Sequence, residues 1–172
     1  MINRIRNPKS EMRNNIYVLL NSIRSLHNVG SIFRTSEGAG VKKIFICGQT
    51  GYPPREEISK TALGAEEYVP WQYYIDPIDC IKKLKKQGVQ IVALEQTNKS
   101  VDYRKFSAKG GSTRGGKPKY PLCLIVGHEI EGVQDKILDL CDSVIEIPMK
   151  GKKQSLNVSV AFGIAVYTLA NK

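Results

Sequence analysis

The sequence is poor in the residues that build metal sites, cross-links and membrane anchors. It holds two histidines and four cysteines, and none of Cys47, Cys80, Cys123 and Cys141 forms a CxxC pair with another. Each cysteine lies in or beside an apolar stretch. Free buried thiols in a reducing, cytoplasmic setting are therefore expected, and a zinc site completed by His27 and His128 has no support. The first residues, Met-Ile-Asn-Arg-Ile-Arg-Asn-Pro, contain no apolar core for a secretory signal. Residues 156–170 carry no charge, but the run falls short of the roughly 20 residues a membrane span needs, and Asn157, Ser159 and Thr168 interrupt it. It reads as a helix buried on most sides, so no membrane association is expected.

Two nucleotide-binding signatures are also missing. No G-x-G-x-x-G opens a helix after a strand, which leaves an ordinary dinucleotide site without support. Gly111 to Lys117 comes close to a phosphate-binding loop, but the next position holds Pro118 where a magnesium-binding hydroxyl is required. That stretch also leads into a strand rather than a helix, which excludes the motif. Acidic residues are in deficit too. Lys and Arg number 26 against 16 Asp and Glu, leaving a net charge of +10 and a pI near 9.5. The excess fits a polyanionic partner, since each neutralised phosphate releases condensed counterions; a merely solubilising charge is the plainer alternative.

What is present is the pattern of one globular domain. The 41% hydrophobic and 24% charged residues are ordinary for a chain that buries its own core. Residues 16–20 read as a first strand. Asn28 then looks like the N-cap of a helix that stops near Gly38 and Gly40. Further strands are expected at 43–47, 68–71, 89–94, 122–126 and 144–147. Helices are expected near 56–63, from Asp76-Pro77 to Gly88, and over the final uncharged run. The alternation predicts an α/β fold with a mostly parallel sheet flanked by helices. Residues 108–120 break it with a mixture of glycine, lysine and arginine, read either as a basic loop that touches phosphates or as a surface insertion.

Three segments stand out chemically. The first runs from Asn21 to Gly40 and contains Asn28 and Arg34. The second runs from Leu124 to Val133, an apolar strand that ends abruptly in Gly127, Glu129, Glu131 and Gly132. The third runs from Ile147 to Ala161, where a strand meets a glycine loop and then a helix that Ser155 would cap. Ligands of open α/β sheets gather at the carboxyl ends of strands, and glycine lets them approach the backbone. Taken singly, each residue also has a plain structural reading. Asn28 and Ser155 are then helix caps, Arg34 an ion-pair partner and Glu129 a solvated carboxylate.

Taken together, the three segments closely resemble the motifs of the SpoU-type RNA 2′-O-ribose methyltransferases of the SPOUT class. The resemblance covers residues 17–169, with the motifs in family order. It implies a single SPOUT domain over residues 1–172 with a C-terminal trefoil knot at roughly 122–172 and no separate RNA-binding domain. It further implies S-adenosylmethionine as the methyl donor, held in a bent pose between the second and third motifs. A homodimer whose active site draws on both subunits also follows from it, and no metal is required. By the family pattern Gly127, Ile147, Met149, Ser155 and Leu156 line the donor pocket, with Leu94 and Gln96 beside it. Arg34 matches the catalytic arginine, and Asn28, Glu129, Ser155 and Asn157 match the other polar motif positions. Asn157 is expected to orient Arg34 or the substrate, and Glu129 to hold the active-site loop.

The RNA would be gripped by the catalytic domain itself, with Arg4, Arg6, Lys9, Arg13, Lys60 and the 109–119 loop as candidate contacts. Residues 60–66 resemble those of members that modify tRNA at a D-loop guanosine. Ribosomal RNA is the alternative substrate, and a non-catalytic RNA-binding protein with the same fold is the alternative function.

Overall fold

The structure, a computed structural model, describes residues 15–107 and 117–170. Arg4, Arg6, Lys9, Arg13 and the 109–116 part of the basic loop, all expected RNA contacts, lie outside the described residues. The elements run β1 (Ile16–Asn21), α1 (Leu26–Ala39), β2 (Lys43–Cys47), α2 (Glu56–Ala62), α3 (Ala65–Tyr68), β3 (Trp71–Tyr74) and α4 (Pro77–Lys86). After these come β4 (Gln90–Leu94), β5 (Val101–Asp102), α5 (Tyr103–Ser107), β6 (Leu122–Val126), α6 (Asp135–Leu138), β7 (Ser143–Glu146) and α7 (Val158–Ala170). Seven strands form one sheet in the order β3-β2-β1-β6-β4-β7-β5, and every pairing is parallel. The expected α/β class with a parallel sheet is thus observed.

Why these residues make this sheet is plain in β6, whose five residues Leu-Cys-Leu-Ile-Val are all buried. A central parallel strand has helices on both faces and therefore no polar side. Alternate residues serve opposite faces. Leu122, Leu124 and Val126 join Val18, Leu20, Ile44 and Ile46 in a core under α1, α2 and α7. Cys123 and Ile125 join Leu19, Phe45, Ile91 and the α4 residues Cys80, Ile81 and Leu84 on the other face. Cys47, Cys80 and Cys123 are buried free thiols and Cys141 is half-buried. Among the described residues no helix is long and apolar enough to cross a membrane.

Several local readings need correction. α1 begins at Leu26, and its N-cap is Ser25, whose hydroxyl accepts the Asn28 amide at 3.3 Å. Asn28 therefore sits inside the first turn, and its side chain is free for other work. Likewise α7 begins at Val158, and Asn157 rather than Ser155 caps it, accepting the Ser159 amide at 2.9 Å. Residues 65–68 form a short helix, and the strand placed at 68–71 is β3, at Trp71–Tyr74. Pro70 separates the two, since it cannot donate to a helix and favours extended chain before it. The last helix is less enclosed than its composition suggests, because Val160 and Tyr167 remain 51% and 45% exposed. Uncharged residues covered its open face as well as its buried one, which hid the asymmetry. α1 does stop as expected, with Gly40 in the left-handed region at φ 74°.

Among the described residues α1 and α2 share the most extensive helix–helix contact, and Gly30 allows their close approach. A Cβ there would collide with the Thr61 hydroxyl and the Ile58 carbonyl oxygen, which cannot both withdraw because Thr61 is already bonded to the His27 carbonyl oxygen at 2.9 Å. Overpacking of this kind costs about 1–3 kcal/mol. Gly30→Ala is therefore expected to lower the urea midpoint correspondingly. An unchanged midpoint would show that the two helices do not meet backbone to backbone.

Candidate active site

The strand order sets β6, β4 and β7 side by side, and parallel pairing opens all their carboxyl ends at one edge of the sheet. The segments leaving those ends enclose a cavity of about 320 Å³, at the small end of the range for small-molecule sites. Leu94 and Gln96 enter it from β4, Gly127 and Glu129 from β6, and Ile147, Met149, Ser155, Leu156 and Asn157 from the segment after β7. Every residue expected at the donor pocket thus faces one space. Glu95, His128, Glu131, Gly132 and Glu146 line the same cavity and were not singled out as pocket residues from the sequence.

A short chain of polar contacts draws the three distinctive segments together. The Glu129 carboxylate accepts the backbone N–H of Arg24 at 2.9 Å and of Ser25 at 3.0 Å. It also accepts from Asn28 Nδ2 at 2.9 Å. Asn28 Oδ1 in turn accepts from Asn157 Nδ2 at 3.1 Å. Partial burial acts to raise the Glu129 carboxyl, but the hydrogen bonds from Arg24, Asn28 and Ser25 together outweigh it and hold the group below the usual carboxylate range. Asn157 holds Asn28, not Arg34.

The loop after β6 is braced from within. His128 and Gly132 exchange backbone hydrogen bonds of 3.1 and 2.9 Å, and His128 Nδ1 accepts the amides of Ile130 and Glu131 at 3.1 and 3.2 Å. Gly127 is compelled to be glycine, since a Cβ would run into the Gly132 carbonyl and stand 2.6 Å from the Val133 nitrogen. Glu95 anchors the far side, accepting the Val133 amide at 2.8 Å and the Gln96 amide at 2.9 Å. Its sequence signal was present, a carboxylate between Leu94 and Gln96 at a strand end, but its long-range partner is the backbone amide of Val133 in a distant loop. Arg34 is exposed on α1 and does not line the cavity of its own chain.

The description "SpoU rRNA Methylase family" belongs to a family model that matches residues 15–167, nearly all of the sequence. The chain belongs to this family. A Staphylococcus haemolyticus protein named for the TrmH family of tRNA/rRNA methyltransferases is 31% identical over 155 residues, which cover 90% of this chain and 58% of that protein. The tRNA (guanosine(18)-2′-O)-methyltransferase of Aquifex aeolicus is 30% identical, over 96% of this chain and 74% of its own length. Among solved structures, the AdoMet-bound rRNA methyltransferase from Sinorhizobium meliloti superposes with a TM-score of 0.79 at 29% identity, covering 91% of this chain and 56% of that one. The chain spans 58–61% of the length of the first curated relatives it matches, and more of the Aquifex protein.

The cavity has a distinct electrostatic character. Glu95, Glu129, Glu131 and Glu146 all reach its wall, although the protein as a whole is strongly basic. Two of these carboxylates are committed to backbone amides, and Glu146 accepts from the Ser100 hydroxyl at 2.8 Å. Such a wall favours a cationic over a neutral occupant.

The depressed Glu129 carboxyl carries a pH signature. A group whose folded pKa lies below its unfolded value stabilises the fold above the unfolded value, and that contribution is lost as pH falls through the folded one. Glu129→Gln is expected to be less stable than the parent at pH 7. The gap should close as the pH falls through the depressed folded value, below which the parent's carboxyl is itself neutral. Denaturant titrations at a series of pH values from 7 downwards measure this. An unchanged gap throughout would mean the charge on Glu129 adds nothing to the tie.

Proposed function

We propose that the protein transfers a methyl group from S-adenosylmethionine to a ribose 2′-hydroxyl of RNA in the cytoplasm, with a D-loop guanosine of tRNA as the favoured target. The observation that carries this reading is the convergence of Glu129 and Asn157, linked through Asn28, on one cavity lined by the residues of the second and third motifs. The Aquifex relative, named for 2′-O-methylation of a tRNA guanosine, favours tRNA over ribosomal RNA.

The residues fit the donor. Leu94, Ile147, Met149 and Leu156 offer apolar walls, and the missing side chain of Gly127 leaves backbone open to close approach. When bound, S-adenosylmethionine supplies a methyl group already activated on a positively charged sulfur. The wall carboxylates would favour that charge over a neutral occupant. The protein must then align the ribose oxygen and stabilise the negative charge that develops as the hydroxyl gives up its proton. Arg34 fills that electrostatic role, while the hydroxyl's proton passes to solvent water. Asn28 and Asn157 fix the loop from which the ribose is presented.

Arg34 lies outside its own cavity, so the reading requires it to come from a second subunit. An apolar stripe supports this. It starts at Leu156 on the cavity wall and continues along α7 through Val160 and the half-buried Ile164 to Tyr167. The Tyr167 hydroxyl lies against Gly38, one helical turn from Arg34 on α1. A partner covering this stripe would lie beside the cavity mouth. The reading also includes the trefoil knot through the C-terminal segment.

Two outcomes test the chemistry and the assembly. Arg34→Ala is expected to reduce turnover about 100-fold or more while calorimetry shows unaltered S-adenosylmethionine affinity. Methylation at the parent's rate would remove Arg34 from the reaction. Val160→Glu is expected to convert a dimer to a monomer in sedimentation equilibrium and to abolish activity. Full activity in a monomer would defeat the shared-site reading. The substrate is read by nucleoside mass spectrometry of cellular RNA with and without the protein. Modified bases with untouched ribose would overturn the 2′-O assignment.

A further inference from the structure

Outside the cavity, an aromatic cluster stands at the same edge of the sheet. Tyr52, in the loop between β2 and α2, is 43% exposed. Its ring centroid lies 4.9 Å from that of Tyr73 and 5.7 Å from that of Trp71. Tyr73 is itself pinned, donating its hydroxyl proton to the Gly48 carbonyl oxygen at 2.7 Å. Two aromatic supports fix the Tyr52 ring, so little side-chain entropy remains to be lost when something stacks on it.

The cluster is tied to the site. The Ile23 amide donates to Thr50 Oγ1 at 2.8 Å, and the Ser22 amide donates to the Cys47 carbonyl oxygen at 3.1 Å. The next two amides along, those of Arg24 and Ser25, are the ones held by Glu129. One hydrogen-bonded shelf thus runs from the cavity wall to the loop that carries Tyr52. Arg24 and Arg55 are exposed on it, and the Arg55 stem passes Gly51, with Cδ 3.8 Å from where a Cβ would stand. Neither arginine has an ion pair among the described residues. Glu56, the next residue, is already neutralised by Lys60 at 2.8 Å.

A rigid half-exposed ring beside two uncommitted guanidinium groups matches the requirements of single-stranded nucleic acid. The ring offers a face to a base and the cations meet adjacent phosphates. We infer that Tyr52, backed by Tyr73 and Trp71, is a stacking platform for an unpaired base near the modified nucleotide, with Arg24 and Arg55 holding the backbone on either side. The inference rests on the RNA reading above and narrows its substrate class. A base inside a helical stem has both faces covered, so the platform selects looped RNA over duplex.

Trp71 is the chain's one tryptophan, so its fluorescence reports on the cluster directly. The full-length protein is titrated with unmodified bulk tRNA and with a fully paired RNA duplex, following both affinity and tryptophan emission. The parent should bind tRNA more tightly than duplex, with saturable quenching. Tyr52→Phe should match it, and Tyr52→Ala should bind tRNA about 5- to 100-fold more weakly with unaltered S-adenosylmethionine affinity. If the parent binds tRNA but Tyr52→Ala binds it equally well, the platform is wrong and the RNA reading survives. Equal affinity of the parent for duplex and tRNA would likewise overturn the platform. If the parent binds no RNA, the functional reading itself fails. Should Tyr52→Ala melt early, photo-cross-linking of the parent to tRNA containing 4-thiouridine decides instead. Adducts in residues 48–55 support the platform, and adducts only elsewhere overturn it.

Discussion

The site depends on one carboxylate. Helix α1 has no acidic residue in its own first turn, although a helix N-terminus presents unpaired amides and partial positive charge. Glu129, about a hundred residues away in sequence, supplies what is missing by accepting the Arg24 and Ser25 amides together with the Asn28 side chain. Because the acceptor is charged, each bond is stronger than its neutral counterpart. A local capping residue would have served the helix equally well. Capping from the β6 loop does something more, because it fixes where that loop stands relative to α1. Through Asn28 the constraint passes to Asn157 and so to the start of α7.

That tie can work only because the sheet has already delivered its participants to one edge. β1, β6 and β4 are adjacent and parallel, so the segments after Asn21, Val126 and Leu94 emerge together. Near-continuous apolar strands make the platform rigid, and the loops are then shaped by short-range needs. Gly127 must lack a side chain for the chain to fold back on Gly132 and Val133, and Glu95 receives the Val133 amide that this fold-back presents. The cavity wall is consequently built of loops whose amides point at carboxylates. An acidic pocket in a basic protein follows directly from it, and so does a preference for a cationic guest.

The apolar strands were the most legible part of the sequence, because burial on both faces removes any competing pattern. β2 matches its expected bounds, and β1 and β4 lie within one residue of theirs. β5 is two residues long, too short to carry a period, and its place in the sheet comes from its pairing with β7. The two capping errors share one cause. Asn28 and Ser155 are residue types that cap helices, and local sequence cannot say that a long-range partner has claimed the first or that Asn157 lies closer to the helix start than the second. The cavity residues Leu94, Gln96, Gly127, Ile147, Met149, Ser155 and Leu156 were placed by family likeness. Nothing in their spacing shows that strands so far apart in sequence are neighbours in the sheet. Glu95 escaped for the same reason, since its meaning lies in the Val133 amide that only the folded chain brings to it.

One helix carries both halves of a geometric difficulty. Asn28 and Arg34 are six positions apart on α1, which turns Arg34 about 240° around the axis from Asn28. Asn28 faces the loops that enclose the cavity, as its bonds to Glu129 and Asn157 require. Arg34 is therefore directed elsewhere, toward the side where Gly38 meets Tyr167. No rotamer change on α1 can turn both groups to one ligand, because the Glu129 tie fixes the helix's rotation about its axis. Arg34 of a chain therefore does not reach the pocket that its own Asn28 helps to hold. The proposed dimer would remove the conflict, since the face that turns Arg34 away from one cavity is the face that would turn it toward the cavity of a symmetry-related copy.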